Sequence, residues 1–203
     1  MEYRPASLSR LVIDVETDGV GSFRPPTQRV VQLAYGAWRA GETCVPLVFL
    51  VRGVQEIHPR AAEVHGIGVE LLREKGVALA EAASGLMAAI GSCDVVVGHN
   101  VQFDIGCVLH SLRAEGLYAE ARAMESALST KRVVCTMKHG VGVSRRCGGK
   151  FPTLAELFRA IYREGPDEGR LHDAGYDCEL TARCFDAMFP ESDQPSAKRV
   201  KLQ

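Results

Sequence analysis

The sequence has no C-x-x-C pair, no excess of one charge sign, no internal repeat, and no apolar run near the ~20 residues that span a bilayer. Each absence excludes something. A formal net charge of -1 leaves no global positive field, so a nucleic-acid partner would have to be held by a local patch or by metal ions. The seven cysteines, Cys44, Cys93, Cys107, Cys135, Cys147, Cys178 and Cys184, are odd in number and widely scattered. That fits buried, reduced thiols in an intracellular, reducing compartment rather than a disulfide framework. The stretch "CTMKHGVGVSRRC", Cys135 to Cys147, holds Cys, His and Cys but no fourth ligand at a zinc spacing, so core thiols beside a polar loop are the preferred reading. The opening "MEYRPASLSR" is polar and carries a proline, unlike a secretory signal, so the chain reads as soluble with no membrane partner.

What is present is enough apolar material for a full core. With 203 residues and 46% hydrophobic content, one domain over residues 1–190 is expected, followed by a flexible basic tail over 191–203. Three strands come first, "SRLVIDVET", "RVVQLAYGAW" and "CVPLVFLV", parted by Gly, Pro and Thr. "GVELLREKGVALAEAASGLMAAIGSC" carries Val77, Leu79, Ala80, Ala83, Leu86, Met87 and Ile90 at helical spacing, and a helix ending near Gly91 is expected, although Gly85 weakens it. "CDVVVGHN" reads as a buried strand, "FDIGCVLHSLRAEGL" as a helix and "RVVCTM" as a further strand. A Gly-rich polar stretch, "KHGVGVSRRCGGK", reads as mobile. Two helices close the chain, "PTLAELFRAIYRE", with Pro152 in its first turn, and "DAGYDCELTARCFDAMF". Strands joined directly tend to run antiparallel and strands joined through helices tend to run parallel, so a mixed α/β sheet follows.

The chemistry starts in "LVIDVETDG". Strand residues i and i+2 share a face, which puts Asp14 and Glu16 side by side. Two anions that close need a cation or a proton to offset their repulsion and lost hydration. Asp104 follows the buried strand in "GHNVQFD", at the kind of strand end where ligand sites gather. "LHDAGYD" adds His172 and Asp177. At 100° per residue these two would sit about 140° apart on a helix, so His172 is expected in the loop leading in, free to swing toward the acids, with Asp173 as N-cap.

"DVETDG", "HNVQFD" and "HDAGYD" together resemble the three motifs of the DnaQ-like, DEDDh group of 3'-to-5' exonucleases, in the family's order. "VHGI" at Val64 to Ile67 and "FPTLAELF" resemble two supporting elements of that family, and the likeness spans roughly residues 10 to 189. One departure is Cys135-Thr136, where many members carry Asp-Thr; that position is not a metal ligand in the family.

The resemblance implies an α/β, RNase H-like exonuclease fold with a central mixed five-stranded sheet flanked by helices. It also implies a two-metal mechanism with Mg2+, Mn2+ being a substitute, and two cations roughly 3.5–4 Å apart can serve both ends of an in-line displacement. Carried over, Asp14 bridges both ions, Glu16 and Asp177 help to hold one, Asp104 holds the other through water, and His172 is the general base. A swinging base fits Gly175. Val20 falls where the family wedges an apolar residue against the terminal base, and His65, Asn100 and Phe103 are further candidates for the nucleotide pocket. The implied partners are single-stranded 3' ends of DNA or RNA and a polymerase or another replication or repair protein.

Other readings stay open at this level. A non-catalytic nucleic-acid-binding or polymerase-accessory module would be expected to have lost an acid or the histidine, and none is lost here. A metal-dependent endonuclease of the wider RNase H-like group has no need of the His-x-Ala-x-x-Asp element. "PSAKRVKLQ" resembles a nuclear import signal through Lys198, Arg199 and Lys201, or is a solvated basic tail. Lys138, Arg145, Arg146 and Lys150 either grip a phosphate backbone or decorate a solvated loop.

Overall fold

The structure, a computed structural model, describes residues 8–21, 26–144 and 150–190. β1 (Arg10–Thr17), β2 (Val30–Trp38) and β3 (Leu47–Leu50) follow one another in the chain and pair antiparallel. Three helices come next, α1 (Pro59–His65), α2 (Val69–Lys75) and α3 (Leu79–Ser92), and lead into β4 (Val95–Gly98). α4 (Val101–Ala114) and α5 (Tyr118–Ser129) then cross to β5 (Arg132–Cys135). These crossovers make β4 parallel to β1 and β5 parallel to β4. The sheet is five-stranded in the order β3-β2-β1-β4-β5. Two short helices, α6 (Thr136–His139) and α7 (Val141–Ser144), precede α8 (Leu154–Tyr162) and the long α9 (Ala174–Met188).

The alternation of β1 divides the core. Leu11, Ile13 and Val15 point to one face and pack with Leu79, Leu86, Val108, Leu112 and Met124 from α3, α4 and α5. Val12 points to the other face and packs with Ala34, Val97, Cys178, Ala182 and Phe185, which α9 supplies in part. Asp14 and Glu16 continue the face of Val12 and therefore look toward α9. At the opposite end of β1, buried Arg10 places Nη1 2.6 Å from Asp186 Oδ1, and Trp38 Nε1 donates to the same carboxylate at 3.1 Å. This pins the C-terminal half of α9 to the sheet.

The stretch expected to form a helix ending near Gly91 holds two helices, α2 and α3. Val77 leaves helical geometry to bridge Val51, donating to Leu50 O and accepting from Arg52 N, so a local strand contact overrides the apolar periodicity. Gly85 has a packing reason, because a Cβ there would strike the Tyr35 hydroxyl. Pro152 lies just before α8 rather than in its first turn. Thr153 is the N-cap, in a reciprocal capping box with Glu156. The Gly-rich stretch is helical over Thr136–His139 and Val141–Ser144, while Arg145, Arg146 and Cys147, like the basic tail, lie outside the described residues. The six described cysteines are free and buried, and burial pushes the thiols of Cys44, Cys107 and Cys184 up to about 12. Among the described residues no helix is long and apolar enough to cross a membrane.

Candidate active site

Three neighbouring chain segments converge where β1 and β4 end. β1 carries Asp14 and, at the point where its pairing with β2 slips by one residue, Glu16. β4 ends at Gly98, and Asn100 turns the chain through the left-handed region at φ 79° so that α4 can begin at Val101. Asparagine tolerates that region better than most side chains, which is a backbone reason for Asn100. Asp104 follows in the first turn of α4 and is buried. α9 supplies Asp177, also buried, in its first turn.

His172 lies in the loop before α9, as the helix geometry requires, and its own φ is 65°. An ordinary residue held in the left-handed region is strained, and such strain concentrates at functional sites. Asp173 caps α9, its side chain accepting from Tyr176 N at 2.9 Å. Asp177 Oδ2 reaches back to accept from His172 N at 3.3 Å, so the acid and the loop hold each other. Ligand atoms of Glu16, His172 and Asp177 all lie within 4.8 Å of one another.

The electrostatics follow from burying like charges together. Burial and then the charges of Asp104, Asp177, Glu16 and Asp173 drive the Asp14 carboxyl well above its ordinary range. Burial and the same neighbouring acids push Glu16 up to about 8. Asp104 rises to about 8, mainly through burial, even though backbone amides at Asp104 and Val15 favour its anion. Asp177 rises to about 6, again led by burial and opposed by the His172 amide. Two buried oxygens, Asp104 Oδ2 and Asp177 Oδ1, have no hydrogen-bond partner. A buried carboxylate oxygen without a donor is costly, and a cation is the usual remedy.

The proposed pocket residues are distributed unevenly. Val20 is exposed at the turn after β1. Buried Gln28 braces that turn, donating from Nε2 to Gly21 O at 2.9 Å and to Val20 O at 3.4 Å. His65, at the end of α1, engages the chain with both ring nitrogens. Nδ1 accepts from Ile67 N at 3.0 Å, which leaves Nε2–H to donate to Thr17 O at 3.2 Å. Only its ring face is left for a ligand. Phe103 is partly buried and packs on the large core cluster. Gly175 is buried in α9, and a Cβ there would lie 2.6 Å from Val48 Cγ2, so it admits β3 against the helix and has no hinge geometry. Motif reading did not single out Gln28 and Gln32. Gln32 lies on the β2 face opposite Glu16, where the two-residue period would have made it conspicuous as a polar residue among apolar ones.

The fold is shared with solved structures. E. coli Exonuclease I in complex with a dA16 oligonucleotide superposes with a TM-score of 0.66 at 21% identity, over 93% of this chain and 42% of that one. Its complex with a dT13 oligonucleotide gives 0.65 at 20%, over 88% and 41%. The zinc-bound form of the E. coli ExoI–ssDNA complex gives 0.66 at 21%, over 91% and 41%. The chain therefore spans about two-fifths of the length of these proteins. No curated protein is similar to it at a significant level. The exonuclease family model (RNase_T) matches residues 11–185, a span that holds all four acids and the histidine, and the chain belongs to that exonuclease family.

Proposed function

We propose that the chain is a divalent-metal-dependent 3'-to-5' exonuclease of the DEDDh type, releasing nucleoside 5'-monophosphates from single-stranded DNA or RNA. The observation that carries this reading is the pair of buried, unpartnered oxygens, Asp104 Oδ2 and Asp177 Oδ1, with Glu16 and His172 close to Asp177 and with Asp14 feeling the charges of Asp104, Asp177 and Glu16. Asp14, Glu16, Asp104 and Asp177 would hold the metal, and an all-carboxylate set suits Mg2+, with Mn2+ as substitute. Two such ions, when bound, stabilise charge on the attacking and leaving oxygens.

The chain's own groups account for the rest. His172, beside Glu16 and Asp177, accepts a proton from the attacking water at a ring nitrogen. The new bond forms between that water's oxygen and phosphorus, and the bond to the 3' oxygen of the preceding nucleotide breaks. That oxygen takes a proton from solvent to become the new 3' hydroxyl, His172 returns its proton to solvent, and the terminal nucleotide carries away its 5' phosphate. Exposed Val20 offers an apolar contact for the terminal base, with Asn100, Phe103 and the ring of His65 as further lining. The oligonucleotides held by E. coli Exonuclease I support a single-stranded substrate.

Product analysis on a linear and a circular strand, with Mg2+ and with EDTA, tests the reading. Mononucleotides from the linear strand alone, and only with metal, are expected. Internal cuts in the circle would indicate an endonuclease, and binding without products a non-catalytic module.

A further inference from the structure

α9 carries Asp177 and receives the His172 loop, so its position relative to β1 decides whether the acids meet. Its C-terminal half is fixed by Arg10 and Trp38 on Asp186. Its N-terminal end is fixed differently. Gln32 Oε1 accepts from Ala174 N at 2.9 Å, a buried contact across 142 positions of the chain. Ala174 N is one of the amides that a helix start leaves without an internal partner, and the Asp173 side chain caps Tyr176 N instead. Because Ala174 N can only donate, the oxygen of the Gln32 amide must face it, which sets the orientation of that side chain.

Gln32 is also the cross-strand partner of Glu16 on β1 and lies on the same face. One residue therefore adjoins a metal-holding acid on one strand and grips the helix that brings another. Ala174 is two residues after His172 and three before Asp177. The geometry points to Gln32 as a positioning residue that sets the spacing between Glu16 and the His172–Asp177 pair. This rests on the exonuclease reading above. Without the contact, α9 stays attached at Asp186 and its first turn keeps the apolar packing of Ala174, Gly175 and Cys178, but it loses the Gln32–Ala174 hydrogen bond that fixes its position against β2. A misplacement of about 1 Å at reacting groups costs on the order of 10²-fold in rate, and loss of a group that supports metal ligands typically costs about 10–100-fold.

The test compares wild type and Gln32→Met by steady-state kinetics with Mg2+ and by amide hydrogen exchange at Ala174. Met keeps the volume and loses the acceptor without placing a new charge opposite Glu16. Gln32→Met is expected to lower kcat by about 10–100-fold with KM nearly unchanged and to speed exchange at Ala174. Should Gln32→Met not fold, Gln32→Leu serves the same comparison. An active wild type with unchanged kcat in the acceptor-less variant, or a loss of kcat without faster exchange at Ala174, would overturn the inference. A wild type with no metal-dependent cleavage would instead overturn the exonuclease reading.

Discussion

Asp104 is buried with Oδ2 unpartnered, and burial together with Asp177 raises its carboxyl from 3.8 to about 8. Its folded value lies above the unfolded one, so its contribution favours the metal-free fold at low pH and is lost as pH rises between about 4 and about 8. Asp104→Asn removes that penalty. The variant is expected to melt higher than wild type at pH 8 without metal, with the gain shrinking toward pH 4, and to lose metal-dependent cleavage. Melting curves at several pH values in EDTA check it, and a lower melting temperature at pH 8 would count against the repulsion. His172 is exposed and its replacement removes no core contact. Under the proposed general-base role, His172→Ala is expected to leave the melting temperature nearly unchanged and to slow turnover by about 10²- to 10⁴-fold.

At the scale of elements, the strands and their directions were legible because β1, β2 and β4 obey simple periodicity and their connections dictate direction. The acids proposed for the site stood out for a similar reason, since each sits beside a strand end or helix start that the sequence marks. α1, α5 and the break at Val77 were not read. α1 is a single short helix whose ends are set by Pro59 and left-handed Gly66, and Val77 is claimed by a strand contact that no local pattern reports. Nor was the role of Gly175, which lies in packing against Val48. Gly175→Ala is expected to destabilise the fold and lower activity, because its Cβ would lie 2.6 Å from Val48 Cγ2 and 3.0 Å from Asp173 Oδ1, and adding Val48→Ala should recover part of both; no recovery in the pair would remove the Val48 contact as the main cause.

His99 ties elements together in the same hidden way. Its Nε2–H donates to Pro152 O at 3.0 Å and its Nδ1 lies 3.0 Å from Thr136 Oγ1, joining the ends of β4 and β5 to the entry of α8. Burial lowers its pKa from 6.5 to about 4, so it contributes stability above about pH 6.5 that is lost as pH falls toward 4. In His99→Gln that part of the acid sensitivity should be missing from melting temperatures taken between these values. An identical pH slope in wild type and variant would exclude it.

For the whole molecule, a formal net charge of -1 leaves the chain without a general attraction for nucleic acid, so metal ions at the acid cluster become the natural counter-charge for a substrate phosphate. The family match over residues 11–185 and the five-stranded sheet agree on the scaffold, while the direction of degradation depends on which strand end reaches the acids. The decisive measurement is a time course on a 5'-labelled single strand, with Mg2+, with EDTA, and with Asp14→Ala. A ladder of shortening labelled products that needs both metal and Asp14 is the expected result. Immediate release of labelled mononucleotide, or degradation that survives EDTA or Asp14→Ala, would contradict it.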